Sequence, residues 1–286
     1  MAESTQTSFN PTFQLGSDLN INRMGYGAMR ITGDGIWGPP QDHDTAIQVL
    51  KNTIELGINF IDTADSYGPF VSEELIAEAL HPYPKDLIIA TKAGLTRSGP
   101  NEWHVNGHPD HLAEALEGSL KRLKAESIDL YQLHRFDPDV PSKDFLKFLQ
   151  GKQEEGLIKH LGLSEVDVDQ VKEARGYFEV VSVQNKYSID SRKWKNVLQY
   201  CEAEGIAFIP WYPLNAGNMS TVEKMKPIAQ KYSVTVHQLA LSWLLHHSPN
   251  ILLIPGTSSV DHLAENVKAT DISLSEDDMQ TLDSLA

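Results

Sequence analysis

Four side chains of this sequence, Asp62, Tyr67, Lys92 and His134, could together run acid and base chemistry on an oxygen atom. A tyrosine phenol with an unperturbed pKa near ~10 is a poor proton donor at neutrality, and an adjacent ammonium lowers it by favouring the phenolate. Asp62 could hold Lys92 charged and aimed, while His134 could donate to or orient the same substrate oxygen. Taken singly, each has an ordinary structural explanation: a loop tyrosine, a lysine ending a strand, a buried Asp–Lys pair. The case for function rests on their convergence, and convergence depends on the elements that carry them.

Each of the four ends, or closely follows, a short apolar run. GINFID (57–62) ends on Asp62 and precedes Tyr67, LIIATK (87–92) ends on Lys92, and IDLYQLH (128–134) ends on His134. Five similar runs complete a set of eight: NRMGYGAM near Met24, KHLGLS (159–164), VVSVQN (180–185), IAFIPW (206–211) and ILLIPG (251–256). Such runs suit strands buried on both faces. The intervals have room for helices, and AIQVLKNTIEL (46–56) and LAEALEGSLKRL (112–123) carry apolar residues at three- and four-residue steps. Asp110 and Ser191 are the expected N-caps of two helices, and Gly156 and Gly205 fall where helices should stop.

Strand and helix alternating eight times predicts a single α/β domain over 1–286, a (β/α)8 TIM barrel, with a doubly wound open sheet as the rival. A hairpin over 12–24 is expected to plug the bottom of the barrel. A long active-site loop is expected over 93–109, and TVHQLALSWLLHH (235–247) reads as an extra helix before the last strand. In a barrel all strand C-termini share one mouth, which would gather the four residues with Ser164, Glu165, Gln184 and Asn185.

Composition narrows the partners. A net charge of −15 argues against nucleic acid, whose binding rests on Lys and Arg. The single Cys201 permits no internal disulfide, and the N-terminus MAESTQTSFN has neither the basic start nor the apolar run of a signal peptide. No stretch reaches membrane-spanning length. These features fit a cytoplasmic protein that handles a small molecule. His104, His108 and His111 invite a metal by spacing, but without fixed geometry or cysteine we assign none.

The runs GINFIDTADSYG, SEELIAEAL, ATK, DLYQLH, KHLGLSE, VQNKYS, IPWYPL and IPGTSSVDHLAEN, in that order, resemble the aldo-keto reductases, particularly a bacterial branch that includes pyridoxal reductases. The resemblance spans nearly the whole chain. It implies a metal-free, NADPH-dependent reduction of a small carbonyl compound by a monomer. On it, Tyr67 is the proton donor, Lys92 lowers its pKa, Asp62 braces Lys92 and His134 orients the carbonyl. Ser164, Glu165 and Gln184 fall at the nicotinamide carboxamide, and Trp211, followed by Tyr212, where an aromatic stacks on the nicotinamide. Leu214, Asn215 and Gly217 fall along the pyrophosphate. Gly256, Thr257, Ser258, Ser259, His262, Glu265 and Asn266 map to the adenosine end.

Two departures stand out. Glu165 replaces the usual asparagine, and GTSSVDH lacks the Lys or Arg that meets the 2′-phosphate in many relatives, so NADH is the lesser alternative to NADPH. Tyr26, Trp37, Trp103 and Tyr187 are candidate substrate-pocket walls. Two other functions compete: an NADP(H)-binding regulatory subunit with little turnover, and a Schiff-base aldolase using Lys92.

Overall fold

The computed structural model describes residues 9–214 and 220–285. It is an α/β structure built on a curled sheet of seven parallel strands. In chain order the elements begin with an antiparallel pair, β1 (Thr12–Leu15) and β2 (Leu19–Asn22). Next come β3 (Tyr26–Gly27), α1 (His43–Glu55), β4 (Phe60–Asp62), α2 (Val71–Leu80) and β5 (Ile88–Ala93). A second antiparallel pair, β6 (Leu95–Gly99) and β7 (Glu102–Val105), precedes α3 (Pro109–Arg122), β8 (Ile128–Leu133), α4 (Ser142–Glu154) and β9 (Ile158–Ser164). The remainder is α5 (Val168–Ala174), β10 (Val180–Gln184), α6 (Lys195–Glu204), β11 (Ala207–Phe208), α7 (Val222–Tyr232), α8 (Val236–His247), α9 (Val260–Val267) and α10 (Glu276–Asp283).

The sheet runs β3-β4-β5-β8-β9-β10-β11 in sequence order, each strand parallel to the next. The expected eighth strand is not a regular one. Residues 251–253 instead bridge both sheet edges: Leu253 pairs with Met24 beside β3, and Ile251 with Phe208 of β11. Leu253 N donates to Arg23 O at 2.8 Å, and Leu252 N donates to Phe208 O at 2.9 Å.

Strand periodicity divides the core in two. Phe60, Ile88, Ala90, Leu130, Val181, Ala207 and Leu252 form an inner cluster with Leu15 and Ile21 of the β1–β2 pair. Ile61, Ile89, Tyr131, Leu161 and Val183 face the helices in the larger outer cluster. Because side chains alternate along a strand, the residues two positions beyond Phe60, Ala90 and Leu130 also face inward. They are Asp62, Lys92 and Gln132.

Several local expectations change. The 93–109 segment is chiefly the β6–β7 hairpin; its Gly, Pro and Asn make the turn, with Asn101 at φ 60. His108, not Asp110, caps α3, its ring accepting from Asp110 N. Ser191 lies in a tight turn with Ser188, whereas α6 starts after Trp194 without a side-chain cap. Gly205 does close α6 in the left-handed conformation, and α8 begins at a Thr235–Gln238 capping box.

Candidate active site

Lys92, fully buried, donates from Nζ to Asp62 Oδ2 at 2.7 Å and to Thr63 O at 2.6 Å. Asp62 Oδ1 receives Gln184 Nε2 at 2.8 Å and Gln132 Nε2 at 3.1 Å. Both carboxylate oxygens are therefore occupied, so the aspartate cannot rotate without breaking several bonds. Lys92 Nζ also lies 5.1 Å from the Tyr67 ring centroid, and the His134 ring is 6.0 Å from that of Tyr67. The structure thus brings together all four residues expected at the strand ends.

Their protonation follows from burial and charge. Burial works against the Lys92 ammonium, but Asp62 and Tyr67 outweigh it and hold its pKa above the ordinary value. Burial raises the Tyr67 phenol, while Lys92 pulls it back down by charge and hydrogen bond; the net direction is upward. Lys92 therefore offsets the cost of burying the phenolate without producing the net acidification expected from sequence. His134 is pushed well below 6.5 by burial and by Lys92 and Arg135, so it is a neutral imidazole at pH 7. The result is a protonated phenol over a fixed cation, beside an uncharged ring.

Ser164 and Gln184 are buried at the C-terminal ends of β9 and β10. Glu165, at φ 52, turns its carboxylate onto Lys186 N and the Trp211 indole Nε1, both at 2.6 Å. This places Glu165 as the support of Trp211, which rests edge-on to Tyr212 at 5.5 Å between centroids. Tyr212 and Ser258 line a cleft of about 480 Å³ with Arg30, Asp34 and Asn101. Thr257 Oγ1 accepts from Ser259 N, and Ser259 caps the start of α9, with its hydroxyl accepting from His262 N.

The residues expected at the adenosine end differ in exposure. Gly256 and His262 are exposed and Asn266 is buried, whereas Glu265 borders a different groove with Tyr232, Gln238 and Lys268. Leu214 is half-buried against the outer core; Asn215 and Gly217 lie outside the described residues. Two pocket-wall expectations fail. Tyr26 is fully buried and donates to Thr257 O, and Tyr187 is fully buried with its hydroxyl 3.0 Å from His247 Nε2. Trp103 does stand beside the chemistry, edge-on to Tyr67 at 6.3 Å, and Trp37 bridges to Gly68.

Sequence reasoning assigned no role to Gln132, Arg135 or Asp65. The first two share strand β8 or its end with His134, which was a readable signal. Arg135 Nη1 donates to His134 O and to Ser164 Oγ at 3.1 Å. Asp65 had no signal beyond its place in DTADSYG. It is 3 % exposed, Oδ1 has no hydrogen-bond partner among the described residues, and burial followed by Glu73 raises its carboxyl well above 3.8.

Comparison with known proteins identifies the family. The model of the "Aldo/keto reductase family" matches residues 23–286. An uncharacterized oxidoreductase of Schizosaccharomyces pombe is 55% identical over 93% of this chain and 87% of its own length. The pyridoxine 4-dehydrogenase of Escherichia coli is 41% identical over 96% of this chain and 98% of its own. A crystal structure of a thermostable aldo-keto reductase with the inhibitor epalrestat superposes with a TM-score of 0.85 at 31% identity, covering 99% of this chain and 100% of that one. The chain belongs to the aldo/keto reductase family and is an oxidoreductase of that family.

Proposed function

We propose that the protein reduces a small aldehyde or ketone to the alcohol, with NADPH as reductant and Tyr67 as proton donor. One observation carries this reading: a lysine held by Asp62 beneath the Tyr67 ring, next to a neutral His134. On the same proposal the fold is a single-domain (β/α)8 barrel with an N-terminal hairpin; the bridges of residues 251–253 to both sheet edges and the packing of Leu15 and Ile21 on the inner cluster support it.

The residues present fit the cofactor. Trp211 and Tyr212 offer aromatic faces, Ser164 a hydroxyl near the mouth, and the α9 N-terminus with Ser258 and Ser259 a set of anion-binding donors. Arg30 adds a cation on the same cleft. When bound, NADPH supplies hydride to the carbonyl carbon. His134, kept neutral, would donate a hydrogen bond to the carbonyl oxygen and fix its direction. Tyr67 would give its proton to that oxygen as negative charge develops on it, and Lys92 would stabilise the phenolate left behind. Asp62, with Gln132 and Gln184 on its other oxygen, holds Lys92 in place for this step.

Lys92 is a poor aldolase nucleophile here, since both Asp62 and its raised pKa keep it an ammonium. The test is NADPH oxidation over a panel of aromatic and aliphatic aldehydes. Pyridoxal should head the panel, because the Escherichia coli relative is named for pyridoxine. Turnover that depends on Tyr67 supports the reading; NADPH binding without turnover of any carbonyl would favour the regulatory subunit instead.

A further inference from the structure

Arg97, on strand β6, is not among the four residues of the reaction, yet its guanidinium is saturated. A guanidinium has five N–H donors, and those of Arg97 meet five backbone carbonyls. Nε donates to Glu102 O at 2.8 Å; Nη1 to Ile36 O at 2.7 Å and Ser66 O at 3.0 Å; Nη2 to Gly35 O at 2.9 Å and Gly99 O at 3.2 Å. Its flat face lies 3.6 Å from the Trp103 ring centroid and 5.7 Å from that of Trp37.

These acceptors belong to three segments distant in sequence. Glu102 and Gly99 are in the β6–β7 hairpin. Gly35 and Ile36 are in the loop before α1, both at positive φ, 68 and 58. Positive φ is rare for a β-branched residue, and here it presents the Ile36 carbonyl to the cation. Ser66 immediately precedes Tyr67. On the other side of Tyr67, Gly68 N donates to Ile36 O at 3.3 Å, and Gly68 O receives Gly38 N. The backbone on both sides of Tyr67 is therefore tied to the segment that Arg97 holds.

We propose that Arg97 is a positioning residue for the carbonyl reduction: it joins the β6–β7 hairpin and the 35–38 loop to the backbone flanking Tyr67, and so sets the phenol and the Trp103 wall relative to each other. This rests on the reductase reading above. Lysine cannot replace it, having three donors on a single nitrogen and no plane to stack. A small displacement of a reacting group from its bound geometry, about 1 Å, can cost ~10²-fold in rate.

The experiment compares the parent protein with Arg97→Lys and Arg97→Ala by three measurements. These are single-turnover NADPH oxidation with an aromatic aldehyde, NADPH affinity by fluorescence titration, and backbone hydrogen exchange over 33–38, 64–70 and 95–106. The expected result in Arg97→Lys is hydride transfer slowed at least tenfold, NADPH affinity lowered by a clearly smaller factor because Gly35 and Ile36 also line the cleft with Arg30 and Ser258, and faster exchange in all three segments. Added guanidinium ion should recover part of the rate of Arg97→Ala. The proposal is overturned by faster exchange confined to the hairpin, by hydride transfer slowed less than tenfold, or by rate and NADPH affinity falling by the same factor, as general damage would produce. Should the parent itself turn over no carbonyl, the reductase reading fails separately. The exchange pattern then still decides whether Arg97 is the joint, since it needs no substrate.

Discussion

Lys92 Nζ stands 2.7 Å from Asp62 Oδ2 with side-chain exposures of 0% and 3%, an ion pair shielded from bulk solvent. Removing one partner of a buried pair leaves an uncompensated charge, at a cost of about 3–5 kcal/mol. Asp62→Ala should therefore lower stability by that amount, measured by urea unfolding. Asp62→Ala combined with Lys92→Met should recover much of it while staying inactive. Equal losses in the single and double variants would show that the charge is relieved some other way.

Tyr67→Phe deletes only the proton donor. Loss of a general acid costs typically ~10²–10⁴-fold, so kcat should fall by that range while NADPH affinity, read by protein fluorescence, stays close to the parent. An undiminished kcat would remove Tyr67 from the chemistry.

The pH profile follows from two opposite displacements. Burial raises the phenol of Tyr67 above 10.0, so the donor stays protonated throughout the neutral range. Burial and neighbouring cations depress His134 well below 6.5, so it stays neutral down to that pH. The kcat for reduction should accordingly be level between pH 6.5 and 10 when NADPH and substrate saturate. A limb near pH 6.5 would mean that His134 titrates normally and that its surroundings are more open to water.

Asp65 gives a stability prediction with a definite sign. Its native carboxyl keeps a proton at pH values where the unfolded chain, with an ordinary value near 3.8, has released it. Native protein then binds more protons, so this group's contribution to stability falls as pH rises through that window. Asp65→Asn removes the effect. The stability gap between variant and parent should be constant below pH 3.8 and then widen in the variant's favour by about 1.4 kcal/mol per pH unit until the native carboxyl ionises. Urea unfolding of both proteins at a series of pH values reads this; a gap independent of pH would contradict it.

Ser258 lines the cleft that also holds Arg30 and Tyr212. Ser258→Lys should tighten NADPH relative to NADH several-fold, because a second cation there adds more attraction for the cofactor with the extra phosphate. Equal changes for both cofactors would place the 2′-phosphate elsewhere.

The sequence by itself determined the order of the sheet and the positions of Asp62, Lys92 and His134 at strand ends. Those depend on short apolar runs and on the two-residue alternation of a strand, both local properties. The same alternation continued past Leu130 could have revealed Gln132. What only the tertiary structure decided is which groups meet. Gln132 and Gln184 come from different strands to the same oxygen of Asp62, which no spacing along the chain encodes. Tyr26 and Tyr187 are amphipathic enough to line a pocket or fill a core, and packing against Thr257 and His247 put them in the core. The β6–β7 hairpin looked like a loop because its turn residues dominate its composition. Arg97, the residue that ties it to Tyr67, reads in sequence as one more surface charge, since its five partners are backbone carbonyls and backbone carbonyls leave no mark on residue type.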